Sequence, residues 1–146
     1  MNKTLRFLRL PSSDRKILFK AGVLLWVVRI GMWILPFRSL RELLGKKTHN
    51  SIAVSQATPA RAEKIARCVK LMSRYVPAAT CLAQALVTVR LLEEAGLPAC
   101  LRIGVARSEA GEFEAHAWVE SKGRVIIGGT HVDLSRFTVL HAVEGT

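Results

Sequence analysis

The chain has 146 residues, half of them hydrophobic, and a formal charge of +11. That length is most simply one domain with apolar content enough for a real core. No uninterrupted apolar run reaches the ~18 residues of a simple membrane span. No apolar stretch with a small-residue cleavage site marks a secretory signal at the start.

Three cysteines, Cys68, Cys81 and Cys100, form an odd set without a CxxC pair. That makes a disulfide framework or structural zinc site a poor reading, and a reducing cytosol suits them better. The four histidines lack metal-ligand spacing, with His49 and His141 in expected loops. No metal or other cofactor is expected. The charge is uneven: residues 1–50 carry eleven Lys/Arg and two acids, whereas residues 51–146 carry eleven and nine. A basic front of this kind suits anionic lipid, an acidic protein or peptide, or nucleic acid, or it is solvated charge that aids solubility.

Pro11-Ser12-Ser13-Asp14 reads as a helix start with a hydroxyl cap and an acid in the first turn. The helix runs from Asp14 to about Leu35, with Ile17, Ala21, Leu24, Val28, Met32 and Leu35 on one stripe. Its other sides carry Phe19, Val23, Trp26, Val27, Ile30, Trp33 and Ile34, so it is buried on most sides or docks something. Lys20 and Arg29 interrupt it, against a bilayer span. The aromatics sit on apolar surface, which argues against nucleic acid. Pro36 breaks the helix, a short second one carries Leu40, Leu43 and Leu44 as far as Gly45, and Lys46–Ser51 reads as a surface loop. Residues 1–57 thus form a basic, hydrophobic helical region that either covers the remainder or docks a partner protein or the membrane surface.

Thr58-Pro59 caps a third helix ending near Tyr75, with Ala62, Ile65, Ala66, Val69 and Met72 inward. Cys68 beside that stripe reads as an inert small hydrophobe. Thr80 then caps a helix whose first residue is Cys81; Leu82, Ala85, Leu86, Val89 and Leu92 form its apolar stripe, and Gly96 ends it before Pro98. The dipole and free N–H groups at a helix start favour an anion, and the thiolate is the form of cysteine that attacks carbonyls. The same N–H groups can hold a developing oxyanion. Gln84, one turn along, could add a side-chain amide. The competing reading makes Cys81 a small structural residue.

Residues 99–106 alternate as a strand, with Leu101, Ile103 and Val105 on one face. Residues 113–120 form the next, with His116, Trp118 and Glu120 sharing a face. Ser121-Lys122-Gly123-Arg124 is a hairpin signal leading into a strand at 125–127. A two-residue Lys122-Gly123 turn pairs 120 with 125, 118 with 127 and 116 with 129. A group orienting His116 then belongs near Gly128 and Gly129. The first acid beyond is Asp133, which could reach back on a loop. Glu120 shares the His116 face but lies too far along the strand for direct contact. A helix-opening cysteine followed by a strand histidine is the order required by a cysteine-nucleophile enzyme of the papain and transglutaminase kind.

Cys81-Leu82-Ala83-Gln84-Ala85-Leu86, Leu91-Leu92, Gly96-Leu97-Pro98-Ala99, Leu101–Val105, Glu114-Ala115-His116-Ala117-Trp118-Val119-Glu120 and Ile127-Gly128-Gly129 carry a resemblance. Together they resemble the transglutaminase-like leader peptidase of lasso-peptide biosynthesis, more narrowly the free-standing protease half of a split B protein. The Leu10–Arg15 opening and Leu35-Pro36-Phe37-Arg38 also fit, so the resemblance covers nearly the whole chain. It implies an α+β fold of the transglutaminase/papain-like cysteine-protease type, with N-terminal helices and a cysteine-bearing helix packed on a small antiparallel sheet. Residues 58–146 would be the protease core, forming one domain with 1–57.

The resemblance implies a cytoplasmic cysteine peptidase that removes the leader of a ribosomal precursor peptide, so that a separate asparagine-synthetase-like cyclase can close the ring. A small PqqD-like leader-binding protein would deliver the precursor. Cys81 carries over as nucleophile and His116 as general acid/base. The family's third member, an Asp, falls at Gly128 here, and Asp133 is the remaining candidate for its role. Acyl transfer or deamidation on the same fold is one alternative. A non-catalytic module that docks a partner or the membrane surface is another.

Overall fold

The computed structural model describes residues 11–44, 58–129 and 132–144. Among these residues four helices come first: α1 (Ser12–Ile34), α2 (Phe37–Leu44), α3 (Pro59–Ser73) and α4 (Cys81–Glu94). Four strands come after them: β1 (Cys100–Arg107), β2 (Phe113–Ser121), β3 (Arg124–Ile127) and β4 (Thr138–Glu144), with a 3-10 turn at Leu134–Arg136. The expected loop at 46–51 and helix end at Gly45 lie outside the described residues. The protein is α+β, with helices packed on an antiparallel sheet of order β3-β2-β1-β4.

Local chemistry explains most boundaries. Thr58 Oγ1 accepts from the Arg61 amide (3.3 Å) with Pro59 at the first helical position, so α3 begins where its missing N–H costs nothing. Gly96 closes α4 in the left-handed region (φ 70°), and Leu97 N–H donates to the Leu92 carbonyl at 2.9 Å, a Schellman ending. Lys122 (φ 49°) and Gly123 (φ 74°) are both left-handed, as a tight hairpin turn requires. The start of α1 differs from expectation. No serine hydroxyl caps it; Pro11 supplies the entry, and the Asp14 carboxylate is taken by Lys64 of α3 at 2.7 Å. That bond holds Asp14 below the usual carboxylate range.

One apolar cluster joins the layers. Ala21, Leu25 and Val28 of α1 meet Ile65 and Val69 of α3 and Leu86, Val87 and Leu92 of α4. Leu101, Ala117, Val119 and Ile127 close it from the sheet. Fully burying such aliphatic side chains stabilises by about 1.5–3 kcal/mol each. Ion pairs bind the rim: Lys20 to Glu94 across α1 and α4, and Arg124 to Glu63 across β3 and α3. Cys68 is buried in this interior, and burial pushes its thiol up, which fits an inert role.

Two expectations about the sheet are corrected. The final strand β4 pairs with β1, so the chain crosses from one sheet edge to the other after β3, and His141 lies in β4 opposite Ile103 rather than in a loop. The hairpin also shifts register. Glu120 pairs with Val125 as expected, but Val119, not Trp118, pairs with Ile127 across an irregularity between Val119 and Glu120. A bulge of this kind opposes two residues on one strand to one on the other and re-aims the side chains beyond it.

Candidate active site

Cys81 is the first residue of α4 and is half-buried against the apolar cluster. Thr80 Oγ1 accepts from the Ala83 amide at 3.3 Å, and the Gln84 amide bonds the Thr80 carbonyl at 3.1 Å. The amides of Cys81 and Leu82 are thereby left at the open end of the helix, where unpaired donors favour an anion. The turn before it is strained: Ala78 adopts φ 53°, which costs a non-glycine residue about 1–2 kcal/mol. The Gln84 side chain folds back to donate to the Ala79 carbonyl (3.1 Å), so it braces the turn that presents Cys81.

His116 sits on β2, the strand against which α4 packs, opposite Gly104 of β1. Its Nε2 lies 2.6 Å from the Gly128 carbonyl oxygen. A carbonyl can only accept, so Nε2 carries the proton, and Nδ1 is left as the nitrogen able to exchange one. Neighbouring residues hold the ring. Phe137 lies 5.6 Å from it and Trp118 stacks at 6.3 Å. Gly104 makes room for both aromatics: a Cβ there would stand 3.0 Å from Phe137 Cβ and 3.1 Å from the Trp118 ring. Glu120 fixes Trp118 by accepting from its Nε1 (3.0 Å) while also accepting from Arg102 Nε (2.8 Å). Burial pushes the Glu120 carboxyl up, but the Trp118 and Arg102 hydrogen bonds outweigh it and hold the group below its ordinary value.

Gly128 cannot be another residue without movement. Its φ is 89°, and a Cβ would stand 2.7 Å from the Ala117 carbonyl oxygen and from Trp118 Cβ. The position that the resemblance gives to an aspartate is therefore one where this backbone admits no side chain, and a main-chain oxygen meets the histidine there.

Asp133 shares an open cavity of about 450 Å³ with His116, lined also by Glu114, Ala115, Val132, Arg136 and Phe137. One of its carboxylate oxygens is engaged by the chain next to it: Oδ1 accepts from the Ser135 hydroxyl (2.6 Å) and amide (3.0 Å), capping the 3-10 turn. Those bonds, the hydroxyl's first, hold Asp133 below the usual range. The structure thus brings Asp133 into the cavity of His116 while giving the ring nitrogen to Gly128. Cys81 and His116 lie on packed elements, and no hydrogen bond joins them among the described residues. Cys81 is not among the residues that line the cavity shared by His116 and Asp133. Phe137 and the Arg136–Glu114 pair, which flank the cavity, had no sequence signal beyond an aromatic and two charges near the C-terminus. Gly104 did have one, since a glycine within a strand marks a close approach.

Comparison with protein families matches residues 23–142 to a model described as the transglutaminase-like superfamily. The matched span contains Cys81, His116, Gly128 and Asp133. No curated protein and no solved structure matches the chain.

Proposed function

We propose, for a chain that belongs to the transglutaminase-like superfamily, generally cysteine peptidases or acyltransferases, a cysteine peptidase that removes the leader from a lasso-peptide precursor. The observation that carries this reading is Cys81 opening a capped helix that packs on the strand of His116. In the proposed reaction the Cys81 thiolate attacks the carbonyl at the leader–core junction. The amides at the start of α4 hold the oxyanion. Protonated His116 gives its Nδ1 proton to the leaving amine, then takes one from water as the thioester is hydrolysed. The Gly128 carbonyl steadies the ring through Nε2 in both steps.

The finer identity rests on the resemblance of the cysteine and histidine blocks. It brings with it a precursor peptide as substrate and a small PqqD-like protein as its carrier. An asparagine-synthetase-like cyclase would take the product. A cytoplasmic setting fits three free thiols. The superfamily's acyltransferases favour a second reading, thioester transfer or deamidation at the same cysteine. Product mass separates the two: incubation with precursor and carrier yields two peptides by hydrolysis, but one altered peptide by transfer or deamidation. Selective alkylation of Cys81 by iodoacetamide at neutral pH is expected under either. Indifference of all three thiols would instead favour a non-catalytic docking module.

A further inference from the structure

We infer that α1 is a docking surface for an anionic lipid bilayer, on which it lies flat without crossing. The helix has two apolar faces. Leu18, Ala21, Leu25 and Val28 are at most 2% exposed and belong to the packed interior. Phe19, Trp26, Ile30 and Trp33 are 73%, 48%, 54% and 80% exposed. Joined by Val23 and Ile34, they fall within one arc at helical spacing, a stripe spanning roughly 22 Å at 1.5 Å per residue. Contiguous exposed apolar patches, unlike scattered apolar residues, mark interaction surfaces.

Charge selects the occupant. Arg15 and Lys16 stand exposed at the start of the same arc, and Arg29 flanks it on one side, while Lys20 on the other side is paired with Glu94. The Arg29 guanidinium lies 5.2 Å from the Trp33 ring centroid, and its Nε donates to the neutral Pro77 carbonyl, so its charge is not cancelled there. The helix's one acid, Asp14, points off the stripe to Lys64. The sequence just before the helix adds Lys3, Arg6 and Arg9 and no acid. Bases around a stripe that carries two exposed tryptophans match the headgroup boundary of an anionic bilayer, where indole rings settle and lysine and arginine meet phosphate. By length and composition α1 could cross a membrane. Its packed face rules out crossing while the fold is intact, since spanning would strip Leu25 and Val28 from α3 and α4. The inference stands on this surface alone and is independent of the peptidase reading.

Co-sedimentation of the full chain with vesicles tests it, comparing phosphatidylcholine alone with an equal mixture of phosphatidylcholine and phosphatidylglycerol. The expected result is binding to the mixed vesicles at least about tenfold tighter than to the neutral ones, weakening with salt. Ile30→Glu and Trp33→Glu, both at exposed positions, should each reduce that binding by about tenfold or more, and Arg15→Glu/Lys16→Glu should do so independently. Leu140→Glu, at an exposed position on β4, should not. Failure to bind mixed vesicles, or equal binding to both kinds, overturns the inference. So does a dimer in sedimentation velocity that Ile30→Glu dissolves, which assigns the stripe to a second copy. Capture of the leader-binding protein through the stripe, without vesicle binding, overturns it as well.

Discussion

The Nε2 of His116 donates to the carbonyl oxygen of Gly128 at 2.6 Å, so a main-chain dipole meets the ring nitrogen. The bond fixes which nitrogen is protonated and which is free. A neutral acceptor steadies an imidazolium less than an anion does, so the protein relies on ring packing by Trp118 and Phe137 to keep the geometry. Gly128→Ala is expected to lower turnover by about tenfold to hundredfold, because a Cβ forces the carbonyl to move and small misplacements are costly. It should also destabilise the fold by about 1–3 kcal/mol through backbone strain. Paired rate and denaturant-midpoint measurements separate the two effects.

Asp133→Asn is expected to leave turnover close to that of the wild type. Its Oδ1 is held by Ser135, and the His116 Nε2 already has its acceptor. His116→Ala, in contrast, should lose about 10²–10⁴-fold. A loss in Asp133→Asn comparable to that of His116→Ala would show that the carboxylate swings to the ring during catalysis.

Thr80→Ala removes the cap of the cysteine helix. It should cost about 0.5–2 kcal/mol and lower activity more than an equal destabilisation elsewhere, because the frayed turn contains the amides proposed to hold the oxyanion. Thr58→Ala, which removes the cap of α3, is the matched control: similar stability loss, with activity of the folded fraction unchanged.

Glu120 makes the fold pH-sensitive on the acid side. Its folded carboxyl is held below the unfolded value, with the Trp118 and Arg102 bonds overcoming burial. The stability it supplies is therefore fully present above the ordinary carboxylate value and is lost as pH falls through the depressed folded one. Glu120→Gln should flatten the stability–pH curve in that acid window. Denaturant midpoints measured from neutral to acid pH check this.

Much of the fold was legible because local chemistry decided it. Thr58 and Thr80 sit where their hydroxyls are needed, Lys122-Gly123 can adopt the left-handed turn, and the alternation of His116, Trp118 and Glu120 survives in the sheet. What was not legible depends on distant partners. Thr138–Glu144 has no clean alternation and becomes a strand by pairing with β1 after a crossover. The shift at Val119 has no signal in the turn residues, and it gives Ile127 the partner Val119 in place of Trp118. A carbonyl acceptor has no side chain to announce it; the Gly-Gly pair marked the place but not the atom. In α1, hydrophobicity all round left open which face would be covered, and packing against α3 and α4 settled that.

The most direct test of the central claim is cleavage of the precursor, delivered by its leader-binding protein, by wild-type protein and by Cys81→Ala, read by mass spectrometry. The expected result is free leader and core peptide from the wild type and intact precursor from Cys81→Ala at equal folded concentration. Cleavage by Cys81→Ala at the wild-type rate would contradict it.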